Sequence, residues 1–267
     1  MRWENLRRSS NVEDRRGMAP KTVVGGAGGI FAMALLVWAL GGDPTSLLME
    51  GVQQTIQSSS KHPSRLNEDE QKEQADFVGA VLGSTEDVWA EIFAKNGRTY
   101  EQPHLVMFAG ATDTACGMGQ TAMGPFYCPN DQTVYLDLDF FYDLQHDLNA
   151  PGDFARAYVI AHEVGHHVQN MQGLLSSRRS NAESVKTELM ADCYAGVWAY
   201  HIQEFGALED GDLKEAINAA GQVGDDRLQE KAQGYAVPDS FTHGSAEQRM
   251  TWFKKGFDGG NPAACQK

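Results

Sequence analysis

A histidine, a glutamate and a second histidine stand at positions 162, 163 and 166, inside the run FARAYVIAHEVGHHVQN over residues 154 to 170. If that run is helical, 3.6 residues per turn place His162 and His166 one turn apart on one face, with convergent imidazoles. Two rings so placed suit a zinc ion, which takes histidine nitrogen, thiolate sulfur or carboxylate oxygen. Glu163, one step round the helix from His162, can reach a metal-bound water without being a ligand. Its carboxylate could then take the proton as that water attacks a carbonyl. The spacing therefore points to metal-assisted hydrolysis. The structural alternative is a core helix with two internally bonded histidines. Apolar Phe154, Ala157, Val159, Ile160, Val164 and Val168 around the motif fit a helix buried beside a cleft.

A zinc site needs a third protein ligand. One solution places glycine three residues and histidine six residues beyond the second motif histidine, but Gln169 and Gln172 occupy those positions here, so it is excluded. The other solution is a glutamate from a following helix, and residues 181 to 204 supply one. Glu188 and Asp192 lie one turn apart there, so Glu188 can ligate while Asp192 accepts the outer N–H of a ligand histidine and fixes its tautomer. Glu183 is the competing carboxylate but has no acidic partner one turn on. Ala191, Ala195 and Gly196 are small enough to let this helix approach the first. His167 points about a hundred degrees away from His166 and reads as a structural or cleft-wall residue. His243, in the turn-like THGS before a further helix, is a candidate donor to the oxyanion of a tetrahedral intermediate, with a surface turn cap as the alternative.

These side chains need a scaffold. Residues 67 to 95 begin with an acidic turn and carry apolar residues at helical spacing, which predicts one long helix or two with a break near Gly83-Ser84. Leu105 to Phe108 and Thr133 to Leu136 read as short strands and as candidates for the cleft rim. Asp139 to Leu148 reads as a short amphipathic helix, and residues 209 to 234 as further helix. Four cysteines permit three pairings. Cys116 and Cys128 flank one glycine-rich loop and make the simplest bridge, which leaves Cys193 with Cys265. A buried free thiol at Cys193 is the alternative.

The chain has 267 residues and a formal charge of −14. That length suits one good-sized core. The first 22 residues hold six basic and three acidic side chains, so the rest carries −17, which argues against nucleic acid or an anionic lipid surface as the domain's partner. Residues 23 to 40 run 18 positions without a charge. This predicts a single membrane span or a signal peptide; the length of the run and of its charged leader favour a retained anchor. The basic leader would stay in the cytoplasm and send the C-terminal domain across the membrane.

The segments HEVGHHVQN, ELMADCYAGVWA, VPDSFTHGSAEQR and GPFYCPNDQTVYLD, with RRSSNVEDRRG and TEDVW before them, resemble the bacterial neutral zinc metallopeptidases, membrane-anchored relatives of the gluzincins. The likeness runs over nearly the whole chain. It implies zinc held by His162, His166 and Glu188, with Glu163 as base. The expectation is an α+β zincin-like domain, mostly helical with a small sheet, divided as a cytoplasmic leader (1–22), a transmembrane helix (23–40), a linker (41–66) and a catalytic domain (67–267). It would hydrolyse peptide or protein substrates in the periplasm. A non-catalytic envelope scaffold using zinc only to join two helices is the rival reading. Intact Glu163 argues against it, because a structural site usually fills its fourth position with a protein ligand.

Overall fold

Helix α1 (Glu68–Lys95) opens the part of the chain that carries the site, and its start is written in the sequence. Asn67 accepts from the Glu70 amide while the Glu70 side chain returns to the Asn67 N–H, a reciprocal cap that satisfies two otherwise orphaned donors. In this computed structural model, which describes residues 1–18, 64–175 and 180–266, α1 runs unbroken through Gly83 and Ser84. Gly83 is a packing gap: a Cβ there would stand 2.3 Å from the carbonyl oxygen of Arg7.

The sheet contains β1 (Val12–Asp14), β2 (His104–Phe108), β5 (Phe126–Cys128) and β6 (Thr133–Asp137) in the order β1-β2-β6-β5. β1, β2 and β6 are parallel, and β5 is antiparallel to β6. β3 (Ala111–Thr114) and β4 (Gly117–Gln120) form a separate antiparallel pair. The two strands expected at the rim, β2 and β6, are interior and almost wholly buried, as parallel strands covered on both faces are. The edge beside the cleft is β5, too short to stand out by pattern.

Helices α2 (Asp139–His146), α3 (Asp153–Met171), α4 (Asn181–Ile202), α5 (Asp212–Gln222), α6 (Asp225–Gln233) and α7 (Ala246–Gly259) complete a mixed α+β fold that is mostly helical. Trp89, Trp198, Tyr158, Phe154 and Phe253 fill its core. Small residues set the helix approaches. At Gly165 of α3 a Cβ would meet the backbone of Ala191 on α4 at 2.9 Å, so the α3–α4 crossing lies beside the motif histidines. Gly196 was expected on that same contact, but it faces α7 instead, 2.0 Å from the Phe253 carbonyl at its missing Cβ. Disulfides join Cys116 to Cys128 and Cys193 to Cys265. The second fastens the C-terminal turn Pro262–Gln266 to α4.

The expected span at 23–40 and the linker up to residue 63 lie outside the described residues, and among the described residues no helix is long and apolar enough to cross a membrane. Residues 1–18 are not set apart from the domain: Trp3–Asn5 form a helical turn, Val12–Asp14 add β1 to the sheet, and the Met1 amino group lies 2.7 Å from Asp153 on α3.

Candidate metal centre and active-site cleft

Helix α3 carries His162, Glu163 and His166, and α4 carries Glu188 across the close contact at Gly165. His162 Nε2 lies 3.1 Å and His166 Nε2 3.4 Å from the same Glu188 oxygen, Oε2. Ligand atoms bonded at about 2.0–2.1 Å to a tetrahedral zinc ion are about 3.3 Å apart. The two distances to Glu188 match edges of such a site, and all three ligand atoms lie within 4.8 Å of one another.

The outer ring atoms settle which nitrogens face Glu188. His162 Nδ1 donates to Asp192 Oδ1 at 2.7 Å. Gln169 Nε2 donates to the Thr187 carbonyl at 2.7 Å, which fixes the amide and turns its oxygen towards His166, 3.0 Å from Nδ1. Both Nδ1 atoms therefore carry hydrogen, and each neutral ring presents the lone pair of Nε2 to a carboxylate oxygen. Lone pairs facing a carboxylate at these distances repel unless a proton or a cation lies between them. The donor set of two imidazole nitrogens and a carboxylate oxygen suits zinc. With protons there instead, burial works against the charged His162 ring, but Asp192 and Glu188 outweigh it and push its pKa up to about 10.

Behind the rings lies a buried polar network. Arg249 of α7 donates through Nε to Asp192 Oδ2 at 2.8 Å and through Nη2 to Oδ1 at 2.9 Å, while the Tyr158 hydroxyl donates to Oδ1 at 2.5 Å. Burial pushes the Asp192 carboxyl up, yet Arg249 and His162 together hold it at about 2. Asp192 is therefore ionised and fully bonded, a fixed acceptor for His162. Glu163 is buried, and burial raises its pKa against the pull of His162 and His166, which brings the carboxylate towards the range a general base needs.

The site opens into a cavity of about 730 Å³ bordered by Tyr127 of β5, Phe140, Glu163, Glu188, His243 and Arg249. His167 has no place at the metal group. It is buried, with Nε2 donating to the Glu101 carbonyl at 2.6 Å and Nδ1 accepting from the Tyr127 hydroxyl at 2.9 Å, so it ties β5 to α3 and holds the cleft wall. Glu183 sits in the first turn of α4, where it caps with Ser180. His243 does border the cavity, with Nδ1 3.1 Å from Asp225 Oδ1; Asp225 Oδ2 also accepts the amides of Thr242, His243 and Gly244 and so shapes the turn. A second acidic group, Asp153, Asp212 and Glu215, has the Met1 amino group 2.7 Å from Asp153 and 3.3 Å from Asp212.

Sequence reasoning missed Gln169, Arg249, Tyr158 and Asp225. In the sequence Gln169 marks only the place of an absent glycine, although it lies three residues beyond His166 on the same face. Arg249 is one arginine on an otherwise ordinary amphipathic helix, and only the fold shows it buried at 5% exposure.

The family described as "Putative neutral zinc metallopeptidase" matches residues 1–267. "Uncharacterized protein YpfJ" of Escherichia coli (strain K12) is 49% identical over 284 aligned positions, covering 99% of this chain and 98% of that one. "Uncharacterized protein Rv2575" of Mycobacterium tuberculosis (strain ATCC 25618 / H37Rv) is 42% identical over 204 positions, covering 70% and 68%. No solved structure matches the chain.

Proposed function

The chain belongs to this neutral zinc metallopeptidase family, and from that premise we propose that it is a zinc-dependent peptidase of gluzincin type, with His162, His166 and Glu188 as the metal's ligands. The observation that carries the reading is the pair of Nε2 atoms converging on one Glu188 oxygen at 3.1 and 3.4 Å. Zinc held there would supply a Lewis acid that polarises a scissile carbonyl and acidifies a water. Glu163, buried beside the ligands, takes the proton of the attacking water and returns it to the leaving amine. Asp192 and Gln169 hold the two rings in the tautomer that leaves Nε2 free, and Arg249 with Tyr158 keeps Asp192 in place. The cavity admits an extended peptide along β5, whose outer edge has no strand partner among the described residues. The two disulfides support residence of the domain in an oxidising compartment.

Digestion of a mixed peptide library by the zinc-loaded protein tests this reading. Cleavage should be lost on chelation and return with added zinc. A metal-loaded, folded protein that cleaves no peptide contradicts it and favours the zinc-containing scaffold.

His243 is assigned the oxyanion contact. Its Nδ1 is engaged by Asp225 Oδ1 at 3.1 Å, so Nε2 is the ring atom assigned to face the developing charge. Loss of one such donor costs about 3 kcal/mol in the transition state. His243→Ala should therefore lower kcat by about a hundredfold with little change in KM. Wild-type turnover in that variant would leave His243 a surface turn residue.

A further inference from the structure

The packing of residues 1–18 on the domain has a topological consequence. Glu86 of α1 is 1% exposed, and its described hydrogen-bond partners all come from the leader: Arg7 Nη2 at 2.7 Å, Ser9 Oγ at 2.6 Å and Asn11 Nδ2 at 2.8 Å. The leader thus both covers this carboxylate and supplies its hydrogen bonds, as a buried charge requires. The backbone is engaged as well. Ser9 N–H donates to the Gly79 carbonyl, Leu105 N–H to the Asn11 carbonyl and Arg15 N–H to the Met107 carbonyl, at 2.9, 2.9 and 2.7 Å. β1 pairs β2 from Val12↔Leu105 to Asp14↔Met107, covering an edge that would otherwise present open donors and acceptors. Gly83 is bare where the Arg7 backbone crosses α1, and Trp3 packs edge-on against Phe77 at 5.5 Å. The surface of α1 and β2 is built for this segment.

Two of the arginines that make the leader read as a cytoplasmic anchor are used in the same contact, and two more are paired inside the leader itself. Arg7 pairs with Glu86 and Asp87, Arg8 with Asp76, Arg15 with Glu13 and Arg16 with Asp14. A topology rule that weighs basic residues beside a span assumes side chains at liberty to stay with the cytoplasmic face. Arg7 and Arg8 are held by acids of α1, and Arg15 and Arg16 by neighbouring acids of the leader.

We infer that residues 1–18 are an integral piece of the domain, so that the chain before residue 19 and the chain after residue 63 occupy the same compartment. A single crossing between a cytoplasmic leader and a domain on the far side is incompatible with this packing.

The test uses the full-length chain in bacterial cells, with a cysteine placed at Arg2 or at Lys254, whose side chains are 61% and 59% exposed. All four native cysteines are in disulfides, so the introduced thiol is the free one. Spheroplasts are treated with a membrane-impermeant maleimide before and after lysis, with the unsubstituted protein as control. Arg2→Cys and Lys254→Cys should label alike, both before lysis or both only after it. Labelling of one before lysis and of the other only after it overturns the inference. Hydrogen exchange on the purified full-length protein reads the docking itself. The amides of Ser9 and Arg15 should be protected like those of β2, and exchange at the rate of an unfolded peptide would overturn the integral role.

Discussion

Glu163→Gln is expected to lose peptide hydrolysis by at least about a hundredfold, the low end for a general base, while keeping its fold and its zinc. The amide is nearly isosteric with the acid, so the burial of residue 163 between α3 and the cavity is preserved. None of the three converging ligand atoms belongs to it. What it lacks is a basic oxygen to receive a proton beside the ligands. The effect should fall on kcat and kcat/KM together, because the lost interaction exists only in the transition state. The assay is the peptide-library digestion with zinc content measured on the same samples. Retention of wild-type turnover by Glu163→Gln would remove the proposed mechanism while leaving the metal assignment standing.

Glu188→Ala is expected to lose zinc, whereas Glu183→Ala is expected to keep it. The two carboxylates lie on one helix five residues apart and differ in what they face. Glu188 Oε2 is 3.1 and 3.4 Å from the two histidine nitrogens, while Glu183 is exposed and bonded to Ser180 at the helix start. Removing Glu188 takes one of three protein ligands from the metal. It also relieves the burial of a carboxylate whose ionised form is held by His166 and His162, so Glu188→Ala should stay folded when metal-free. Removing Glu183 takes away the returning half of the capping box at the start of α4 and leaves the ligands untouched. Metal content after dialysis against a weak chelator separates the two, and the reverse pattern would overturn the third-ligand assignment.

The parts of this site legible in the sequence are those governed by short-range rules. Helix periodicity alone places His162, Glu163 and His166, and the one-turn spacing of Glu188 and Asp192 puts both on the face of α4 that meets α3. Capping residues mark the starts of α1, α4 and α7. What was not legible depends on contacts between distant segments. Arg249 reaches Asp192 across 57 residues of sequence, and nothing local distinguishes it from a solvated arginine. The edge strand β5 has three residues, too few for a period, and is defined only by its pairing with β6. Gly83 looked like a helix break because the Arg7 backbone that fills its space lies 76 residues away. The docking of the leader is hidden for the same reason: its arginines count as free charge until Glu86, Asp87 and Asp76 are seen opposite them.

An anomalous difference map at the zinc K-edge from crystals of the zinc-loaded, otherwise unmodified protein locates the metal. The account predicts one strong peak within bonding distance, about 2.0–2.2 Å, of His162 Nε2, His166 Nε2 and a Glu188 oxygen. A zinc-loaded crystal with no peak among these three side chains, or with its peak held by a different set of ligands, would contradict it.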